Sequence, residues 1–295
     1  MAKTEFEKKI YDDVQKQKGT SFTVKASLLE RLLVRKTACS NLHPNAEDEF
    51  TFENVGPSMR IIGEYEEKFR YNQRHNQPIF DDALIVEKLH PKGYLLLNGH
   101  HRWAAAMRCQ IKKVPIKIVN LAQDSDIKKI LENSKHDKRV TLDLDEVIFR
   151  SDNDKYVEAV PKFRLIKFKK KLKLGVPALF HYLSKQGYDI WVYSAQYYSI
   201  DDIQRFFRAY SVHVDGIITG TEKRKASNSA SAVQREKMIA AKYKQTLHID
   251  NDMVLMTGDV EGAKYKKYDL NVSADEWSRK AIDIIGEIVK DGKKA

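Results

Sequence analysis

Apolar strands alternate with helical stretches through the second half of the chain, and this alternation constrains the fold most strongly. Strands are predicted at "RVTLDLDEVIF", "YDIWVYSA", "VDGIITG" and "TLHIDNDMVLM". Helical stretches such as "PALFHYLSKQG" and "IDDIQRFFRAY" separate them. Because parallel strands need a long crossover, which is usually helical, this order predicts an α/β domain built on a parallel sheet.

The first half of the chain predicts a different, mixed α+β domain. Strands are predicted at "DDALIVEKL", "GYLLLNG" and "KVPIKIVNL", and helices at "IIGEYEEKFRYNQ" and after Trp103. A chain of 295 residues is long enough for two domains. The charged stretch "AQDSDIKKILENSKHDKR" is the natural boundary. We predict a charged lead-in at 1–19, a mixed domain at 20–121, a helical linker at 122–137 and the α/β domain at 138–295.

The composition favours anionic partners. The formal net charge is +11, which suits nucleic acid, nucleotides or phosphorylated protein. The densest basic run extends from Lys162 to Lys173, and a solvated basic face is the alternative explanation. No apolar stretch spans a bilayer and no signal peptide is evident, so we expect a cytoplasmic protein without a membrane partner. Cys39 and Cys109 alone form neither a disulfide framework nor a zinc set.

Three predicted strands of the second half end in polar side chains. Asp143 and Asp145 end the first strand, Ser194 ends the second, and Asp250 and Asp252 end the last. Ligands in open α/β sheets bind at the carboxyl ends of the strands. Adjacent carboxylates repel each other unless a cation is present, and hard oxygen ligands suit Mg²⁺. The pattern therefore predicts a magnesium-dependent phosphate site at this edge of the sheet.

These motifs resemble those of the haloacid dehalogenase superfamily of phosphatases, which has a Rossmann-like fold. The resemblance implies that Asp143 is the nucleophile and forms an aspartyl-phosphate, while Asp145 acts as general acid and then base. It implies that Ser194 hydrogen-bonds the phosphoryl group. It also implies that Asp143, Asp250 and the backbone carbonyl of Asp145 hold Mg²⁺, with Asp252 in a supporting position.

The same resemblance, which covers residues 138–290, implies a lysine that binds the phosphoryl oxygens. Lys237 opens the helix before the last strand and is the first choice, with Lys223 and Lys225 as alternatives. The short distance between the first two motifs leaves room for little or no cap. An open site suits a phosphorylated macromolecule or a nucleotide. A domain of this kind that has lost its activity is the alternative.

A polar block stands between a predicted strand and a predicted helix in the first half. It consists of Asn98, Gly99, His100, His101 and Arg102. The first N–H groups of a helix lack partners and favour anions, and Gly99 would allow a close approach of the backbone. Arg102 offers a planar fork for phosphate oxygens. A simple turn with solvated histidines is the alternative.

The stretch "GYLLLNGHHRWAAAMRCQIKKVPIKIVN" and its surroundings, residues 20–121, resemble the ParB/sulfiredoxin fold. The resemblance implies that the polar block, Asn98 to Arg102, binds the phosphates of ATP or another nucleotide. Sulfiredoxins carry a cysteine where this chain has His100, which excludes sulfinic acid reduction through a thiol at that position. Members that act as small-molecule kinases use an acidic base. Three residues are open candidates for it: Glu47, Asp48 and Glu49.

Together, these observations predict a magnesium-dependent phosphatase with an N-terminal nucleotide-binding module. Two alternatives stay open. One is a nucleic-acid-binding protein with a structural second domain. The other is a bifunctional enzyme with kinase and phosphatase activities.

Overall fold

The computed structural model describes residues 4–160, 170–220, 230–258 and 265–292. The chain divides at Asn120 and Leu121 into two compact units. Within the described ranges, no helix is both long and apolar enough to cross a membrane.

The first unit contains four α-helices and six strands within the described residues. They are α1 (Glu5–Gln17), β1 (Phe22–Val24), α2 (Leu28–Leu32), β2 (Arg35–Thr37), β3 (Leu42–Pro44), α3 (Met59–Arg74), β4 (Leu84–His90), β5 (Tyr94–Asn98), α4 (His100–Arg108) and β6 (Val114–Ile118). Its sheet has the order β2-β6-β4-β5-β3, and β1 pairs with β4. The pairs β4–β6 and β3–β5 are parallel and the others are antiparallel, so the sheet is mixed as predicted.

Helix α4 packs closely against α3 in the core of this unit, and three of its buried side chains are small. Ala104, Ala105 and Ala106 are fully buried in one core cluster with residues of β4 and β5. The charged lead-in predicted at 1–19 contains α1, whose start carries a capping box between Thr4 and Glu7. Ile10 of α1 is buried in the same core, so α1 is a packed element of the unit.

The second unit contains five helices and eight strands among its described residues. They are α5 (Asp124–Asn133), β7 (Lys138–Asp143), β8 (Phe149–Arg150), β9 (Lys171–Leu172), α6 (Val176–Lys185), β10 (Tyr188–Ser194), α7 (Ile200–Ala209), β11 (Gly216–Thr219), α8 (Ala230–Lys242), β12 (Gln245–Ile249), β13 (Met253–Thr257), β14 (Tyr265–Asp269) and α9 (Trp277–Asp291). A π-helical turn, Leu144–Ile148, follows β7.

The main sheet of this unit has the order β11-β10-β7-β12-β13-β14. The first four of these strands are parallel, whereas β13 and β14 are antiparallel to their neighbours. The expected all-parallel sheet is therefore mixed. The reason lies in "TLHIDNDMVLM", which forms two strands joined by a tight turn at 250–252, and such a turn can only join antiparallel strands.

The stretch predicted as a helical linker contains α5. Ile127 and Leu131 on one face of α5 are buried against Trp191 and Tyr243. The sequence predicts little or no cap between the first two motifs, and this stretch of the chain lies between β7 and α6. The described part of that stretch forms the π-helical turn and the two-stranded sheet β8–β9. Residues 161–169, which include most of the basic run, lie outside the described residues.

Candidate active site

Three parallel strands bring the predicted acidic and hydroxyl side chains to one edge of the second sheet. β7 lies between β10 and β12, with Tyr193 opposite Asp143 and Ile249 opposite Leu142. Ser194, the last residue of β10, therefore lies beside the end of β7, and Asp250 follows β12 on the other side.

Asp143 caps the π-helical turn that follows β7. Its Oδ1 accepts the backbone N–H of Asp145 at 2.7 Å and that of Glu146 at 2.8 Å. Burial raises the pKa of Asp143, the two backbone bonds oppose this shift, and the charges of Asp145 and Asp250 add to it. A desolvated carboxylate near two others is an arrangement that a bound cation stabilises.

Both oxygens of Asp145 accept hydrogen bonds from hydroxyl groups. Ser194 Oγ donates to Oδ2 at 2.5 Å, and the Tyr198 hydroxyl donates to Oδ1 at 2.6 Å. Ser194 is fully buried, and its Oγ accepts the backbone N–H of Gln196 at 2.9 Å. Burial and the bond to Asp145 raise the pKa of Tyr198, which keeps this hydroxyl protonated. The contacts therefore link Ser194 directly to Asp145.

A buried lysine that the sequence did not single out lies at the same edge. Lys173 is only 2% exposed, its Nζ donates to Asn251 Oδ1 at 3.0 Å, and it lies 3.5 Å from the centroid of the Trp277 ring. Burial lowers its pKa to about 7, and the positive charge of Arg150 adds to this effect. The sequence signal was the apolar setting of Lys173, between Leu172 and Leu174, within a run that otherwise resembles a solvated basic face.

Asn251 joins the two sides of this site. Its Nδ2 donates to the carbonyl of Glu146 at 3.0 Å, which ties β12 to the turn after Asp143. Its Oδ1 accepts from Arg150 Nη2 at 3.1 Å as well as from Lys173. Two cations therefore converge next to Asp250, a position that favours a negatively charged ligand.

Of the three lysines predicted for this site, only Lys237 lies within the described residues. Lys237 is exposed on α8. Lys223 and Lys225 lie outside the described residues. Asp252 is exposed in the turn between β12 and β13, and its carbonyl accepts the backbone N–H of Leu270 at 2.8 Å.

The donor set for Mg²⁺ is small. Among the described residues, no three His, Cys, Asp or Glu side chains are placed to hold one metal ion together. The predicted set needs only two carboxylates, Asp143 and Asp250, and the carbonyl of Asp145. Mg²⁺ is often bound by one or two carboxylates together with waters and substrate phosphate, so these residues fit it. Trp277 Nε1 holds the backbone of Asp250 by donating to its carbonyl at 3.0 Å.

In the first unit, the polar block forms the turn between β5 and α4. Gly99 has a φ of 96°, and a Cβ there would lie 2.5 Å from the Leu84 side chain and 3.0 Å from the Arg102 guanidinium. Only glycine fits this left-handed and crowded position. Asn98 ends β5 opposite Ile85 of β4. With no side chain at Gly99, an anion could approach the backbone N–H groups of the first turn of α4, as the predicted binding of phosphate at the polar block requires.

The two histidines of this turn hold neighbouring loops. His100 is 2% exposed, and its Nε2 accepts the backbone N–H of Asn45 at 3.2 Å. His101 Nε2 accepts the backbone N–H of Ser58 at 3.2 Å. Of the three acidic candidates for a base, Asp48 lies against this turn, with Oδ2 3.4 Å from His100 Nδ1. The alternative of solvated histidines is therefore wrong for His100.

Arg102 is half-buried beside the turn. Its Nη1 donates to the carbonyl of Asp82 at 3.0 Å, and its guanidinium lies over Gly99. The carbonyl bond uses one of the five guanidinium N–H groups. Arg102 therefore combines a structural contact with a fixed positive charge at the start of α4.

Residues 77–134 match the ParB N-terminal domain family. The matched range runs from before β4 to the end of α5 and includes the Gly99 turn. This match confirms the ParB part of the predicted resemblance over residues 77–121 of the predicted range 20–121, and it continues beyond that range to residue 134. No curated protein matches the chain. None of these comparisons identifies a haloacid dehalogenase domain, so that part of the resemblance stays a prediction.

Two solved structures show limited similarity to the chain. A C-terminally truncated chromosome-partitioning protein ParB from Caulobacter crescentus, complexed with CTP-gamma-S, is 19% identical, covering 34% of this chain and 52% of that chain, with a TM-score of 0.25. A conserved hypothetical protein from Pyrococcus furiosus is 11% identical, covering 87% of this chain and 100% of that chain, with a TM-score of 0.22. The chain thus spans about half the length of the ParB structure.

Proposed function

We propose that the second unit is a magnesium-dependent phosphatase that hydrolyses phosphomonoesters through an aspartyl-phosphate on Asp143. The observation that carries this proposal is the convergence of Asp143, the bonded pair Asp145 and Ser194, and the buried Lys173 at one edge of a sheet. The substrate class we infer is a phosphorylated macromolecule or a nucleotide, because the net charge favours polyanionic partners.

The reaction needs two steps. Asp143 attacks phosphorus, the bond from phosphorus to the leaving oxygen breaks, and Asp145 gives that oxygen a proton. Water then attacks the phosphorus of the aspartyl-phosphate, Asp145 takes a proton from the water, and inorganic phosphate leaves as the Asp143 carboxylate is restored. The backbone bonds to Asp143 Oδ1 orient the carboxylate and leave Oδ2 as the oxygen that we assign to the attack.

Other side chains position this chemistry. Ser194 and Tyr198 fix the orientation of Asp145 by donating to its two oxygens. Lys173 supplies positive charge beside Asp250 for the phosphoryl oxygens. Asp143 and Asp250 would hold Mg²⁺, which when bound would supply positive charge to offset the carboxylates and the phosphoryl group.

Activity should depend on Mg²⁺ and on Asp250. Asp250→Asn keeps the shape of the side chain but removes one anionic ligand, so we expect the half-saturating Mg²⁺ concentration to rise about tenfold or more. The measurement is release of p-nitrophenol from p-nitrophenyl phosphate over a Mg²⁺ titration. Asp283→Asn is the matched control, since Asp283 is exposed on α9, and it should leave the titration nearly unchanged. Full turnover after thorough chelation would refute the metal dependence.

A second function is favoured by the match to the ParB N-terminal domain family. We propose that the first unit binds the phosphates of a nucleotide, or of nucleic acid, at the start of α4. The left-handed Gly99, the first-turn N–H groups and Arg102 support this assignment. A kinase activity in this unit would need a base, and Asp48 beside His100 is the residue best placed for it.

Replacement of Arg102 should weaken nucleotide binding without affecting phosphate release by the second unit. A charge-assisted bond to phosphate contributes roughly 1.5–3 kcal/mol, so Arg102→Ala should raise the Kd about tenfold or more. The measurement is calorimetry of the full chain with ATP, ADP and CTP. Arg74→Ala is the control, because Arg74 is exposed at the end of α3.

The calorimetry separates the possible roles of the turn. If the wild-type chain binds none of the three nucleotides, the turn is structural and the nucleotide proposal fails. If Arg102→Ala and the wild type bind equally, the nucleotide contacts other residues, and the bond from Arg102 to Asp82 is its whole role.

A further inference from the structure

Four aliphatic side chains are exposed within six consecutive positions of the first unit. They form what we call the aliphatic patch, and they are Leu29 (74% exposed), Leu32 (51%), Leu33 (67%) and Val34 (63%). Helix α2 turns Arg31 into the protein and exposes Leu29 and Leu32, the reverse of what folding alone favours. Soluble monomers rarely leave a contiguous apolar surface without a use for it.

Basic side chains surround the aliphatic patch. Arg35 and Lys36 follow it directly on β2 and are exposed. β2 pairs with β6, where Lys112 and Lys113 precede the strand and Lys117 lies within it, all three exposed. The surface therefore combines apolar side chains with a positive rim.

The carboxylate nearest to the patch in sequence is already paired. Glu30 is the one acidic residue in the segments 25–38 and 111–118, both of which are fully described. It accepts from Lys88 Nζ at 2.7 Å, and this bond is the main reason that its pKa falls to about 2. Glu30 thus forms an ion pair with Lys88, so it does not offset the positive charges of the rim.

The patch also adjoins an open sheet edge. β2 is the first strand in the order β2-β6-β4-β5-β3, so, within the described part of the sheet, only its β6 side is paired. An edge strand offers backbone N–H and C=O groups that can pair with an added strand.

We propose that the aliphatic patch and the edge of β2 bind an extended segment of a partner protein that carries aliphatic anchors and acidic side chains. The patch supplies apolar contacts, the edge of β2 supplies backbone hydrogen bonds, and the rim selects acidic residues. Nucleic acid would leave the four aliphatic side chains without apolar partners. α2, with five residues, is too short to lie in a membrane interface as an amphipathic helix.

The test starts from a random peptide display library selected on the full chain. Enriched peptides should contain both aliphatic and acidic residues, and the best peptide is then synthesised with a fluorescent label. Anisotropy titrations should show that Leu33→Asp and Lys36→Glu each weaken its binding about tenfold or more. Val55→Asp is the matched control, because Val55 is an aliphatic residue with 59% exposure outside the patch, and it should bind as the wild type does.

Several results would overturn the proposal. These are a selection without enrichment, enriched peptides that lack acidic residues, or equal binding by Leu33→Asp and the wild type. Two parallel measurements test whether a membrane surface or a second copy of the chain binds the aliphatic patch instead. Sedimentation with phosphatidylserine vesicles that Leu33→Asp abolishes would assign the patch to a membrane surface. A concentration-dependent dimer that Leu33→Asp dissociates would assign it to a second copy of the chain.

Discussion

Phosphate release should fall by about a thousandfold or more when Asp143 is replaced by Asn. Asn keeps the size of the side chain, and its amide oxygen can still accept the backbone N–H groups of Asp145 and Glu146. It is a poor nucleophile, so the covalent step is lost while the turn is retained. The measurement is the steady-state rate with p-nitrophenyl phosphate and Mg²⁺.

The matched control for this variant is Asp283→Asn. Asp283 is exposed on α9, so the same chemical change there should leave turnover within about twofold of the wild type. Near-normal turnover in a clean preparation of Asp143→Asn would remove Asp143 from the role of nucleophile. A far-UV spectrum and a melting curve check that both variants fold.

Lys173→Met is the second substitution with a large expected effect. The loss of one charge-assisted contact to phosphate should lower kcat/KM by about ten- to a hundredfold. Met preserves the apolar stem beside Trp277. Lys237→Ala is the control, because Lys237 is exposed on α8, and it should retain nearly full activity. Loss of activity in Lys237→Ala together with nearly full activity in Lys173→Met would favour Lys237 as the lysine of this site.

The stability of Lys173→Met should move in the opposite direction from its activity. Burial and Arg150 lower the pKa of Lys173 from 10.5 to about 7, although the charges of Asp154 and Asp250 oppose this shift. Between pH 7 and pH 10.5 the unfolded chain therefore binds more protons than the folded chain, so wild-type stability rises with pH in this range. Below pH 7 Lys173 is charged in both the folded and the unfolded chain, so the folded state carries the full free-energy cost of burying this charge.

Met carries no charge at any pH, so this cost is absent in the variant. We expect Lys173→Met to melt at a higher temperature than the wild type at pH 6, and the difference to shrink as the pH approaches 10. A variant that is both inactive and destabilised at pH 6 would indicate that Lys173 has a structural role.

The strands of both sheets could largely be predicted from sequence, because apolar runs between turn residues carry that signal. β4, β5, β7 and β10 lie where those runs predict them. The hairpin of β12 and β13 was missed, since "TLHIDNDMVLM" looks like one strand until its turn is seen.

Side-chain partners were harder to predict, because they depend on contacts between distant parts of the chain. Lys173 acquires its buried setting from Asn251 and Trp277, which lie far along the sequence. His100 likewise accepts the backbone N–H of Asn45, and the residues next to His100 in the sequence do not indicate this bond. The sequence did predict one shared edge for four residues, Asp143, Asp145, Ser194 and Asp250. Each lies at or just after the end of an apolar run, and the end of such a run can be seen in the local sequence.

Acid quenching can detect the covalent phosphoenzyme that we propose on Asp143. The full chain is mixed with radiolabelled p-nitrophenyl phosphate and Mg²⁺, quenched with acid within milliseconds, and the denatured protein is counted. We expect protein-bound label that hydroxylamine releases in the wild type, and no such label in Asp143→Asn. Phosphate release without bound label, or equal labelling of Asp143→Asn and the wild type, would contradict the proposal.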